Sequence, residues 1–430
     1  MSKLPSLPSG SLCSLPLGTR IPLSVHAVTC SLPTMRDVIG YEEKDPETLN
    51  EMPTGYPRFV THFYIRKIAD HWKKRFGLAG RELIFSTSPT ILREAQQQAA
   101  DPEAAIIESD GLAALHFSES SPGFSRARSF IQHVGANISS RLAENYLLEH
   151  GLLSEAQKEE RESPDIAETK VRSKIGNLFG SAAEDVVLAN SGMNAVYLVF
   201  RELDAIQQKK GRKIWIQLGW LYLDTIEILT KLTAGNRVYF PDVLDLDRLE
   251  KFLNENGHRV AGVVTEAPTN PLLETPDLPR LRKLTAQHDL PLIIDPTLAT
   301  PHNIDVLPWC DVAVNSLTKY AANQGDVMLG AAILNRDSKW ADQLNLQKSE
   351  WLVPPYRADL ERLAAEIDDY ETVVDAINSN ALKLAAFLRK HPAVKEVFTP
   401  YSGEVGKNYR AIERRPNSPG AMISITIKRP

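Results

Sequence analysis

The chain is poor in cysteine: Cys13, Cys30 and Cys310 are its three, far apart and with no Cys-x-x-Cys pair. A disulfide framework or zinc finger is excluded on that ground, and a reducing compartment, the cytoplasm, is the expectation. No run of about 18 apolar residues is present, so no membrane span is expected. Basic and acidic residues nearly balance, 49 against 54, and there is no long basic block. A nucleic acid is therefore not an expected partner. The ten histidines include no His-Glu-x-x-His and no i, i+4 pair, so no metal is expected. The first 36 residues hold no Asp or Glu. That absence suits an organelle transit peptide, but Pro5, Pro8, Pro16, Pro22 and Pro33 forbid the amphipathic helix such a peptide needs. No apolar core is long enough for a secretory signal, which leaves an extended N-terminal arm over 1–60.

With 43% hydrophobic and 24% charged residues, the chain has the composition of a folded protein. Its 430 residues call for a large domain and at least one smaller unit. Thr54-Gly55-Tyr56-Pro57-Arg58-Phe59 reads as a turn carrying two aromatics. Ile65, Ile68, Ala69 and Trp72 mark an amphipathic helix to Arg75, and 61–164 is expected to be a helical region. The charged stretch from Glu155 to Asp165 reads as a solvated helix end or loop at a boundary. Beyond it, short apolar runs alternate with helical ones. Strands are expected at 185–188, 214–218, 238–240, 260–265, 292–295, 312–315 and 331–334. Asp245 is expected to cap one intervening helix, and Pro276-Asp277 to open another. This alternation implies an α/β fold with a mainly parallel sheet flanked by helices over 165–345. Residues 346–430 continue with helix at 359–389 and strands at 394–398 and 422–427, the start of a small αβ domain that reads as unfinished.

Five features stand at the ends of the predicted strands, where open parallel sheets bind ligands. Ser191-Gly192-Met193 lies between strand and helix, either a phosphate cradle or a turn with Ser191 as helix cap. Tyr222, before the next helix, is either a ring-stacking aromatic or a half-buried element end. In Glu266-Ala267-Pro268-Thr269-Asn270-Pro271, Asn270 offers an amide donor, or the segment is turn chemistry alone. Asp295, after an apolar strand, needs a cationic partner: a protonated ring nitrogen, a metal or an arginine. Lys319, in Ser316-Leu317-Thr318-Lys319-Tyr320, is either a desolvated nucleophilic amine or a surface lysine. Taken together they fit one ligand, pyridoxal 5'-phosphate (PLP).

Those segments, with Leu221-Tyr222-x-x-Thr225 and Asp295-x-Thr297, resemble the Cys/Met-metabolism, or trans-sulfuration, family of PLP-dependent enzymes over roughly residues 165–430. The resemblance implies the aspartate-aminotransferase-like fold (PLP fold type I). The N-terminal His26-Ala27-Val28-Thr29, Gly40-Tyr41-Glu42 and Gly55-Tyr56-Pro57-Arg58-Phe59 are similar to the extended form of cystathionine γ-synthase-like members. By the resemblance, Lys319 binds the cofactor covalently and shuttles protons, Asp295 keeps the ring nitrogen protonated and Tyr222 stacks on the ring. Gly192 and Met193 offer backbone N–H groups, and Ser316 and Thr318 hydroxyls, to the phosphate, with Ser191 and Thr297 in the same shell. Asn270 bonds the ring hydroxyl. The family also takes a phosphate contact from a neighbouring subunit's arginine in a Tyr-x-Arg motif. Arg141 is the nearest match, with a structural ion pair as its alternative role. A homodimer or homotetramer acting on small amino-acid substrates is implied.

The chain departs from the family pattern in three places. Asn323 and Gln324 replace a Gly-His pair after the lysine, Leu223-Asp224 replaces a glycine pair after the stacking tyrosine, and the part of the small domain that grips the substrate carboxylate is not seen. The implied activity is cystathionine γ-synthase-like γ-replacement on an O-acylhomoserine with cysteine. An O-acylhomoserine sulfhydrylase, a γ-lyase and a truncated non-catalytic cofactor-binding homologue are the alternatives.

Overall fold

The computed structural model describes residues 15–428. Cys13, Pro5, Pro8 and the rest of the first 14 residues of the expected arm lie outside the described residues. Fourteen strands are present among those described. β1 (Arg20–Ile21) and β2 (Thr29–Cys30) pair in the N-terminal arm. β3 (Arg81–Ser86), β4 (Ala105–Ser109) and β5 (Leu112–Ser118) make a small antiparallel sheet in the order β3-β5-β4. The main sheet consists of β6 (Val186–Ala189), β7 (Ile214–Leu218), β8 (Arg237–Phe240), β9 (Val260–Glu266), β10 (Leu292–Asp295), β11 (Val312–Ser316) and β12 (Gly330–Leu334). β13 (Val394–Phe398) pairs antiparallel with β14 (Ser424–Ile427).

The main sheet has the order β6-β12-β11-β10-β9-β7-β8 and is parallel except at β12, which runs against both of its neighbours. Its strands are apolar almost throughout because helices cover both faces. Side chains alternate along each strand: Val186 and Leu188 join one core, and Val187 and Ala189 the other. The helices Pro164–Phe179, Leu246–Asn256 and Leu278–Gln287 fill the first core. The helices Gly192–Lys209 and Leu223–Leu232 fill the second. Asp245 and Asp277 cap their helices through the backbone N–H groups of Arg248 and Arg280. The carboxyl ends of β6, β7, β9, β10 and β11 therefore open on one rim.

Two regions differ from the sequence-based expectation. Residues 61–164 are not wholly helical, because β3, β4 and β5 lie among the helices. The β4–β5 hairpin turns at Asp110-Gly111, both at positive φ (51° and 74°). Asp-Gly between apolar segments is the chemistry of such a two-residue turn. The arm, for its part, is not simply extended. Met35–Glu42 is a helix whose Thr34 and Asp37 form a capping box, and Pro46–Asn50 is another short helix. The arm is tied to the body: the Val28 N–H donates to the Gly325 carbonyl (3.0 Å), and His62 Nε2 to the Val25 carbonyl (2.7 Å). It passes directly beside the rim of the main sheet.

Candidate active site

A cavity of ≈ 330 Å³ opens at this rim. One end is the start of the helix Gly192–Lys209. Ser191 is its N-cap: its hydroxyl accepts the Asn194 N–H (3.0 Å) and donates to the Gly135 carbonyl (2.8 Å). With that donor satisfied, the N–H groups of Gly192 and Met193 are left without a partner among the described residues, and both residues line the cavity. Glycine is required here for close approach. A Cβ on Gly192 would lie 2.9 Å from the Ser316 Cβ, and one on Gly330 would lie 2.3 Å from the Ser191 carbonyl oxygen. The Ser316 hydroxyl faces the same space, buried and without a hydrogen-bond partner.

The opposite part is acidic. Asp295 and Glu266 are register partners at the ends of β10 and β9. The Asp295 carboxylate accepts the Thr297 N–H (2.8 Å), and the Thr297 hydroxyl accepts the Ser316 N–H (2.9 Å), so three cavity residues hold one another in place. Glu266 accepts the Tyr222 N–H (2.5 Å). Burial pushes both carboxyl groups up, and for Glu266 the neighbouring Asp295 adds to the effect. An acidic pair of this kind, Glu266 buried and Asp295 half-buried at the cavity wall, is arranged to meet a cation.

Lys319 lies on the connection after β11. The Leu317 and Thr318 N–H groups both donate to the Leu329 carbonyl (3.0 and 3.2 Å), which fixes the neck of that loop. Of the two readings the sequence left open, a desolvated amine and a surface lysine, the exposure of Lys319 fits the second, and the residue lines the cavity where it is open. Its Nζ sits 4.5 Å from the Tyr56 ring centroid. Tyr56 and Arg58 come from the arm. Burial raises the Tyr56 phenol, but the Lys319 and Arg58 charges outweigh it, and its pKa falls below the ordinary value. Arg58 donates to the Tyr222 hydroxyl (2.7 Å) and the Gln132 carbonyl (2.9 Å), and forms an ion pair with Asp224. His133 Nδ1 holds the other Asp224 oxygen (2.7 Å). Burial opposes ionisation of Asp224, but the His133 hydrogen bond and the Arg58 charge prevail and hold it below the usual carboxylate range.

Gly192, Met193, Tyr222, Asn270, Asp295, Thr297, Ser316 and Lys319 thus share one cavity. Three of the expected residues do not. Ser191 is committed to its cap. The Thr318 hydroxyl is spent on the backbone of Leu329, donating to its carbonyl (3.2 Å) and accepting its N–H (3.1 Å). Arg141 is fully enclosed, bonded to Glu159 (2.7 and 2.8 Å), Asp359 (3.1 Å) and the Asp326 carbonyl (2.7 Å), so it is a structural ion-pair centre. Glu159 is correspondingly buried rather than solvated: burial would raise its carboxyl, but Arg141 holds it down at about 2. Sequence reasoning missed Tyr56, Arg58 and Glu266. Tyr56-Pro57-Arg58 is itself a Tyr-x-Arg, and that signal could have found the arginine.

The model for "Cys/Met metabolism PLP-dependent enzyme" matches residues 159–430. The L-2-amino-4-chloropent-4-enoate dechlorinase/desaturase of Streptantibioticus cattleyicolor is 38% identical over 95% of this chain and 82% of its own length. The cystathionine gamma-synthase of Neurospora crassa is 26% identical over 96% of this chain and 86% of its own. A solved cystathionine gamma-lyase from Lactobacillus plantarum superposes with a TM-score of 0.52 at 23% identity, over 61% of this chain. The chain spans 66% of that structure, just under two thirds of it.

The residues present suit PLP. Two unused N–H groups at a helix start, an orphaned buried hydroxyl on Ser316 and an Arg58 Nε without a partner line the cavity and suit an anion. The carboxyl pair and the Lys319 amine line the same cavity.

Proposed function

The chain belongs to the Cys/Met metabolism family of PLP-dependent enzymes, and from that premise we propose that it removes a leaving group from Cγ of an L-α-amino acid. The observation that carries this reading is the single cavity holding the Lys319 amine, the Asp295–Glu266 carboxyl pair and a free helix start. The relatives' names support the choice of carbon. Chlorine on carbon 4 of a 2-amino acid sits on Cγ, and the gamma of the synthase names the same atom.

When bound, PLP supplies an electron-accepting ring conjugated with the substrate Cα. Gly192, Met193, Ser316 and Arg58 would hold its phosphate, Tyr222 its ring and Asn270 its ring hydroxyl. Asp295 keeps a proton on the ring nitrogen, and that positive charge in turn returns the buried carboxyl to its ionised form. Thr297 keeps Asp295 aimed. Lys319 holds the cofactor at rest. Once free, its Nζ takes the Cα proton and then moves a proton at Cβ, while the group on Cγ departs with its bonding electrons. The Tyr56 phenol, beside that amine, is the second proton carrier.

The first substrates to test are an O-acyl-L-homoserine and cysteine, joined by a new C–S bond at Cγ, with sulfide as the alternative thiol. The dechlorinase relative favours a second reading, elimination with no incoming thiol. Purified protein with PLP should show a visible absorption band that Lys319→Ala abolishes. It should also release carboxylate from O-acetyl-L-homoserine or chloride from 2-amino-4-chloropent-4-enoate. Absence of the band under cofactor excess, with neither leaving group released, overturns the proposal. A homodimer or homotetramer in the cytoplasm belongs to the same proposal, and light scattering checks the assembly.

A further inference from the structure

Behind Tyr56 lies a second cavity of ≈ 370 Å³. It shares Tyr56 and Lys319 with the first, so the amine stands where the two meet. Its wall comes largely from the N-terminal arm: Val28, Cys30, Leu32, Tyr41 and Met52. Two of its polar side chains are already engaged. The Thr318 hydroxyl is bound to Leu329, and the Asn323 amide donates to the Glu366 carbonyl (2.9 Å) while its oxygen accepts from Gln324 (2.8 Å). Burial raises the Cys30 thiol. Burial first, and then Glu42, push the Tyr41 phenol up to about 12, so neither carries charge near neutrality. Among its lining residues Lys319 is the sole cation, and the reaction uses that amine.

We infer that this second cavity receives the substrate's leaving group, and that it selects an uncharged group over one ending in a carboxylate. Because Tyr56 and Lys319 line both cavities, a substrate whose Cα lay beside Lys319 would extend its side chain past Tyr56 into the second. An acyl group with a methyl end would be covered by Met52, Leu32 and Val28. A carboxylate end would lose its water with no fixed counter-charge to replace it. The inference rests on the proposed Cγ chemistry and adds to it the class of group that leaves.

O-butanoyl- and O-succinyl-L-homoserine are the discriminating pair: both acyl chains have four carbons, and they differ in a terminal methyl against a carboxylate. With the PLP-loaded full chain, kcat/KM for the butanoyl ester should exceed that for the succinyl ester at least ~10-fold. Thr29→Arg places a cation at the exposed rim of the cavity, where folding is not at risk, and should narrow this ratio by a similar factor. Binding without turnover gives a second readout, since L-norleucine should bind more tightly than L-2-aminoadipate by spectral titration. Equal kcat/KM for the two esters, or aminoadipate binding at least as tightly as norleucine, overturns the inference. If neither ester is turned over and no chloride is released from 2-amino-4-chloropent-4-enoate, the Cγ reading fails, and the norleucine–aminoadipate order still decides this one.

Discussion

Asp224→Asn is the most demanding test of how the arm is held at the active site. Arg58 and Asp224 are an ion pair with side-chain exposures of 2% and 4%. The guanidinium keeps its bonds to the Tyr222 hydroxyl and the Gln132 carbonyl when Asp224 becomes an amide, so the shape survives and only the counter-charge is lost. Breaking a buried pair from one side costs about 3–5 kcal/mol, because the remaining charge is left desolvated. In cofactor-free protein the variant should therefore lose about that much, read as a fall in the urea midpoint followed by tryptophan fluorescence. With PLP bound, the phosphate supplies a replacement anion and the loss should shrink. If it shrinks by about 2 kcal/mol, the thermodynamic cycle requires the variant to bind the cofactor ~30-fold more tightly than the parent. A loss below about 1 kcal/mol in both forms, the value of an exposed pair, refutes the reasoning. So does a loss of equal size with and without cofactor.

Two further outcomes are expected. Burial, and then the Asp326 charge, push Glu366 up to about 8, well above the ordinary carboxyl range, so the native state keeps a proton that the unfolded chain has already released. Stability should fall as pH rises through that window and level off above it; Glu366→Gln should remove a few kcal/mol of the decline at about 1.4 kcal/mol per pH unit, and parallel stability–pH curves for the two proteins speak against it. Burial likewise raises Asp295, so its carboxylate form is depleted on acidification. PLP affinity by spectral titration should drop between about pH 8 and about pH 5. Asp295→Asn should flatten that profile and lower kcat by ~10²-fold or more; an unchanged slope removes Asp295 from the ring-nitrogen role.

The main sheet was legible to within a residue at each end because its strands are buried on both faces, so apolar runs such as Val186–Ala189 have no polar interruption to blur them. β3 to β5 were harder. Leu112–Ser118 carries two adjacent alanines and no polar–apolar alternation over its first four residues, and only Asp110-Gly111 betrays the hairpin. In the site, sequence spacing placed residues at strand ends but did not say which way their side chains turn. Ser316 and Thr318 are two apart, which in a strand means one face. The strand stops at Ser316, however, and Thr318 folds back onto Leu329. Arg141 misled for a different reason: its partners Glu159, Asp326 and Asp359 are scattered along the chain and converge only after folding. A charged run such as 155–165 reads as solvated until a cation from elsewhere is laid over it.

The reversed direction of β12 has a bearing on how such a protein changes over time. Where parallel neighbours need a helix to carry the chain back across the sheet, β11 and β12 are joined by a short return whose neck is cinched at Leu317, Thr318 and Leu329. Beyond that knot the segment from Tyr320 to Val327 is anchored as well: the Gly325 carbonyl accepts the arm's Val28 N–H, the Asp326 carbonyl accepts from Arg141, and Ala321, Ala322 and Val327 lie in the core, so a change of length there would loosen the arm. Asn323 and Gln324, both bonded to Glu366, are exchanges of side chain at fixed length, so novelty near the reactive nitrogen is confined to what keeps these anchors.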